Sequence, residues 1–168
     1  MAALSRHGDA AMSFSPGWRR ALLTLHVATS VGFIGAVAAF LALAIAGVSG
    51  APAVYLALPI ITWPVIVPLA VLSLLLGVVQ SLGTPWGLVR HYWVLVKLVL
   101  TLVALIVLLL QTGTIETLAA LAAAGRIGPA TLEGQMAMVI HSAGGLVVLL
   151  GATVLSTYKP RGLTGLTV

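Results

Sequence analysis

The chain has 168 residues, of which 61% are hydrophobic and only 7% charged, and its mean hydropathy is +1.19. A soluble domain carries about 25% charged residues, so this chain is solvated by lipid rather than water. It has no cysteine, which excludes disulfides, thiolate nucleophiles, iron–sulfur clusters and cysteine zinc sites. The net charge of +5 comes from 8 basic and 3 acidic residues spread thinly along the sequence. A nucleic-acid surface needs them clustered, so no nucleic-acid partner is expected.

Residues 1–17 show no apolar period and are expected to be disordered. Apolar runs follow at about 22–48, 54–82, 92–111 and 132–157, each long enough to supply the ~20 helical residues that cross ~30 Å of hydrocarbon. Barrel-type alternation is missing. The fold class is therefore all-α, a transmembrane four-helix bundle occupying residues 18–158, with a tail at 159–168. Arg19 and Arg20 precede the first run as in a signal peptide, but the run exceeds the ~7–15 apolar residues of a signal core and is read as a retained span.

Pro59, Pro64 and Pro68 cluster in the second span, where each interior proline removes a helical hydrogen bond. They predict either a packing kink or a bend that opens an outward-facing cavity. GTPWG, residues 83–87, is a short cytoplasmic turn. Between the third and fourth spans, TIETLAALAAAG offers Thr114 or Thr117 as N-cap and Gly125 with Arg126 as a stop. This pattern predicts a separate short helix lying at the outer interface.

Lys and Arg accumulate on the cytoplasmic side of a membrane. With the N-terminus inside, Arg6, Arg19, Arg20, Arg90, Lys97, Lys159 and Arg161 are cytoplasmic and Arg126 alone is external, 7 of the 8 basic residues. Trp18, Trp86, Tyr92, Trp93 and Tyr158 form an aromatic belt on the same side. The expected location is a bacterial inner membrane, multi-pass, with both termini cytoplasmic and the lipid bilayer as the principal partner.

Within lipid, the helix faces that carry small and polar residues are the ones that pack together. At 100° per residue these faces hold His26, Thr29, Ser30 and Phe33 on the first span, and Thr62, Leu69, Ser73, Gly77 and Gln80 on the second. The third presents Lys97, Thr101, Ala104, Leu108 and Gln111. The fourth presents His141, Gly144, Gly145, Val148, Ala152 and Ser156, which predicts a His141 ring inside the bundle and helices forced apart by a bulky residue at Gly145. The small-residue faces also suit association with a second copy or another membrane protein.

With the apolar stretch of the fourth span taken from about Met136 to Leu155, which leaves Glu133 at its outer end, no Asp or Glu lies within a span. This argues against carboxylate-based ion transport and excludes paired-carboxylate hydrolysis and carboxylate-bridged metal pairs in the bundle. Phosphate-loop, GxSxG and HExxH motifs are missing too, so no catalytic residue is assigned and no enzymatic activity is expected. Candidate ligand-binding residues are Lys97, Thr101, His26, Ser30 and Gln80. A lysine sharing an inward arc with Thr101 suits an anionic ligand or headgroup. In a purely interfacial role, the same lysine would cover Trp93 with its stem and lift its ammonium to the membrane surface.

The expected function is a non-enzymatic membrane protein that scaffolds, binds or passes a small ligand without a cofactor. The alternative is a haem b or copper protein. Haem would use His26 and His141, yet ~20-residue spans set them ~15 Å apart along the membrane normal, and only longer, tilted helices shrink the offset to roughly 5 Å. Copper would use Met138 and His141, a soft ligand pair that needs a third member.

The stretch SLGTPWGLVRHYWVLVKLVLT at residues 81–101, with LHVATSVGFIGAVAAFLALAIAG before it and VVLLGATVLSTYKPRGLTG after it, resembles a family of small bacterial four-span membrane proteins known only by a domain-of-unknown-function label. The resemblance implies an inner-membrane location and the same fold, and brings no site residue with it. The histidine-bearing helices are also loosely similar to the membrane part of copper-resistance proteins.

Overall fold

The computed structural model describes residues 15–84, 87–160 and 162–165. Most of the N-terminal segment expected to be disordered, together with Pro85, Trp86 and Arg161, lies outside these residues.

Helix α1, Pro16–Val48, begins six residues before the apolar run. The Ser15 hydroxyl accepts the Trp18 backbone N–H at 3.4 Å, and Pro16 takes the first turn, where its missing N–H costs nothing. The second span, Pro52–Leu82, is composite. A 3-10 turn at Pro52–Leu56 leads into α2, Ala57–Ile61, then one π turn at Thr62–Ile66, then α3, Val67–Leu82. The prolines account for the wide turn. Pro64 and Pro68 have no N–H for the carbonyls of Ile60 and Pro64, and the Val67 N–H reaches back five residues to Thr62.

Helix α4, Tyr92–Ala123, departs from expectation. The segment read as a separate interfacial helix continues the third span without a break. Its polar residues do not interrupt the ladder, because the Thr112 and Thr117 hydroxyls bond back to the carbonyls of Leu109 and Gly113 at 2.7 and 2.8 Å. Ile115 and Leu118, which an interfacial helix would leave on lipid, are buried in the core. At 1.5 Å per residue the 32-residue helix is ~48 Å long, more than the hydrocarbon thickness. It stops where Gly125 turns left-handed at φ +67°, with the Arg126 N–H bonded to Leu121 O at 2.8 Å. A 3-10 turn, Pro129–Thr131, then opens α5, Leu132–Tyr158.

Helix α1 packs on α3 and α5, and α4 packs on the same two, so the four spans form an up-and-down ring with the start of α1 and the end of α5, the described termini, at one end of the bundle. The half away from the termini holds the core: Phe33, Val37 and Phe40 of α1, Leu58 and Ile66 of the second span, Ile115, Leu118 and Met138. The π turn at the prolines lies within the packed core, since Leu58, Thr62, Ile66 and Ala70 in and around it are all buried. Tyr55, fully buried, closes this half. Its hydroxyl donates to Gln135 Oε1 at 3.1 Å, and Gln135 Nε2 donates to Thr131 Oγ1 and to the Gly128 carbonyl.

At the opposite end the tail folds back. Lys159, at φ +43°, ends α5, and Leu163 pairs antiparallel with His91. The Thr164 N–H bonds to Arg90 O at 3.0 Å, and its hydroxyl donates to Val89 O.

Candidate functional site

A cavity of about 810 Å³ occupies the half of the bundle that carries both termini. Ligand pockets span roughly 300–1,000 Å³, so this one has room for a small molecule. Its deepest lining residues are Ile34, Ser73, Thr101 and Leu149, one from each span. Its mouth is formed by Arg19, Arg20, Thr84 and Lys159.

All five residues assigned to ligand binding, His26, Ser30, Gln80, Lys97 and Thr101, line this cavity. Lys97 is half-buried. Its ammonium donates to Ser156 Oγ at 2.8 Å across the α4–α5 seam and stands 5.1 Å from the centre of the Trp93 ring. The lysine thus pairs with Trp93, but through its ammonium, which is held inside the bundle instead of rising to the membrane surface. The Ser156 hydroxyl passes its own proton to Ala152 O at 2.9 Å, leaving its lone pairs for the ammonium. Thr101 bonds back to Lys97 O, and Ser30 meets Ser73 across the α1–α3 seam at 2.8 Å. Beside that pair the His26 ring lies on Gly77, where a Cβ would come within 3.2 Å of its Cε1. His26 Nδ1 is buried without a hydrogen-bond partner.

Electrostatically the cavity is one-sided. Arg19, Arg20, Lys97 and Lys159 line it, and among the described residues no carboxylate does. Sequence reasoning used Arg19, Arg20 and Lys159 only to orient the chain and missed them as lining residues. The signal was present in the number of basic residues set within a turn or so of the span ends at one side.

The outer half of the fourth span is rotated relative to expectation, while Ala152 and Ser156 of the expected face do line the cavity. His141 is exposed rather than inside the bundle, and a Cβ on Gly144 or Gly145 meets nothing within 4 Å. The inward face instead runs through Gln135, Met138, Ser142 and Leu149. His141 needs no interior partner, because Nδ1 bonds Ala137 O at 2.7 Å and Nε2 faces Gln111 Nε2 at 3.3 Å. The structure accordingly does not bring together the residues of either cofactor alternative: Met138 is buried in the core while His141 lies outside it, and of the two histidines only His26 lines the cavity. Among the described residues, no three His, Asp or Glu converge.

Four apolar helices of membrane-spanning length arranged around a cavity of mixed polar and apolar lining make this chain a multi-pass integral membrane protein. Comparison with protein-family models, with curated proteins and with solved structures finds no match to it.

Proposed function

We propose that the protein is a non-enzymatic membrane receptor for an anionic ligand, held in the cavity at the end that carries the termini. The observation that carries this reading is the set of four cations, Arg19, Arg20, Lys97 and Lys159, around a cavity with no described carboxylate. Charges placed near low-dielectric walls act more strongly than they do in water, and an excess of one sign concentrates ligands of the other. Lys97 has three donor hydrogens, of which Ser156 takes one, so two remain for a ligand. The packed half beyond Phe33 favours holding a ligand over passing it through a single bundle. In this reading the membrane is a bacterial inner membrane, and the basic asymmetry favours an open end at its cytoplasmic face.

Trp93 lines the cavity and reports occupancy through its fluorescence. In neutral maltoside detergent, inorganic phosphate and octyl phosphate should give saturable changes that Lys97→Gln abolishes and added salt weakens, while octyltrimethylammonium should give none. An equal response to the cationic probe, or no saturation with either anion, overturns the reading.

A further inference from the structure

The cavity wall is not polar all round. On α1, Arg20, Leu23, Val27, Val31 and Ile34 recur at helical spacing and all belong to the lining. Leu23, Val27 and Val31 are at the same time 55%, 50% and 64% exposed. On α3, Leu74 and Val78 line the cavity as well. At 100° per residue, Val27 and Val31 are displaced from Ser30 by ~60–100°, and Leu74 and Val78 from Ser73 by ~100–140°. Because the two helices are antiparallel, equal rotations turn these residues toward the same flank of the Ser30–Ser73 contact. The cavity therefore continues from its cationic mouth onto an apolar strip along the α1–α3 seam, facing the surrounding hydrocarbon.

A soluble anion gains nothing from such a strip. An acyl chain does, and chains are present along it at membrane concentration. We infer that the ligand is an acidic phospholipid, its phosphate at Arg19, Arg20 and Lys97 and one acyl chain laid along Leu23, Val27 and Val31. This rests on the anion-receptor reading and adds the source of the anion. Charge selects the headgroup: each basic residue near a membrane surface is worth about fivefold in binding an anionic lipid. The apolar strip sets the direction of access, sideways from the leaflet instead of end-on from water. Val31 is exposed on the strip and lies eleven residues along α1 from Arg20, so a bulky side chain there obstructs the strip away from the cationic mouth.

The test is lipid retention by native mass spectrometry of the full chain released from maltoside micelles, with phosphatidylglycerol and phosphatidylcholine supplied at equal concentration and glycerol phosphate as the soluble competitor. Selective retention of one phosphatidylglycerol is expected. Arg20→Gln should lower it about fivefold, and Val31→Trp should lower retention while the melting temperature stays near wild type. Leu23→Trp serves as the second obstruction should Val31→Trp fail to fold. Equal retention of both lipids, or retention of phosphatidylglycerol unchanged in the Arg20 and obstruction variants, means unselective boundary lipid and overturns the inference. Saturable glycerol phosphate binding that is lost in Lys97→Gln and untouched by Val31→Trp, with no selective lipid retention, overturns the lipid inference and leaves the anion receptor standing. Failure of both lipid and glycerol phosphate overturns the two together.

Discussion

Lys97 and Ser156 join α4 to α5 through a single hydrogen bond of 2.8 Å inside the cavity, while the lysine ammonium stands over the Trp93 ring. The pair fixes the position of a cation that would otherwise sweep a wide arc at the membrane surface. Lys97→Leu removes one interhelical hydrogen bond, worth ~0.6 kcal/mol on average in membrane proteins, and a cation–π contact worth ~0.5–1 kcal/mol. Ser156 keeps its bond to Ala152 O and is not left unsatisfied. Thermal unfolding in detergent should therefore show a loss of about 1 kcal/mol, whereas the tryptophan response to octyl phosphate disappears. A leucine variant that still binds the anion would remove Lys97 from the site.

Among the described glycines, Gly47 has the least room for a side chain. A Cβ there would lie 2.6 Å from the Tyr55 hydroxyl oxygen, and Tyr55 is fully buried with that hydroxyl committed to Gln135. The ring cannot retreat without breaking the bond. Gly47→Ala should cost ~1–3 kcal/mol, the usual range for overpacking. Adding Tyr55→Leu should recover part of the loss, so that the double variant is more stable than the sum of the two single ones. Strict additivity in a thermal-unfolding cycle would show that the crowding is relieved elsewhere.

Positions on the fourth span behave differently. Gly145 has open space where its Cβ would be, and His141 stands at the surface bonded to Ala137 O and facing Gln111. Gly145→Leu and His141→Gln should each change stability by less than ~0.5 kcal/mol, as surface substitutions do. The expectation from the sequence was the opposite for Gly145. A melting-temperature loss for Gly145→Leu comparable with that of Gly47→Ala would show that a second copy covers this face.

The four spans were legible because apolar runs of that length have one physical solution in lipid. So were the inward arcs of the first three spans, where Ser30, Ser73, Gly77, Lys97 and Thr101 stand out against aliphatic neighbours and do line one cavity. The outer part of the fourth arc misled because a histidine and two glycines look like an interface, although His141 satisfies one ring nitrogen on its own helix; Ala152 and Ser156 of the same arc do line the cavity. The run from Gln111 to Thr117 read as a break because hydroxyls compete for backbone partners in general, and here they bond back into the same helix. The bond between Tyr55 and Gln135 and the pairing of the tail with residues 89–91 join positions more than 70 apart in sequence. No local pattern announces contacts at that separation.

Sidedness is open to a direct test because the chain has no native cysteine, so each introduced thiol reports without background. Ala124 lies in the exposed turn after α4, at the packed end, and Tyr158 is 80% exposed at the last turn of α5, beside the cavity mouth. Replacing either residue removes no core contact. In intact cells a membrane-impermeant maleimide should label Ala124→Cys at once, and should label Tyr158→Cys only after the membrane is permeabilised. That pattern would put the cavity mouth in the leaflet facing the cytoplasm, the side to which the basic residues assign it. The reverse pattern would keep the bundle and turn it over, exposing the cationic cavity to the outside, and would direct the search for its ligand to the opposite leaflet. Labelling of both thiols from one side would contradict the up-and-down arrangement of four spans itself.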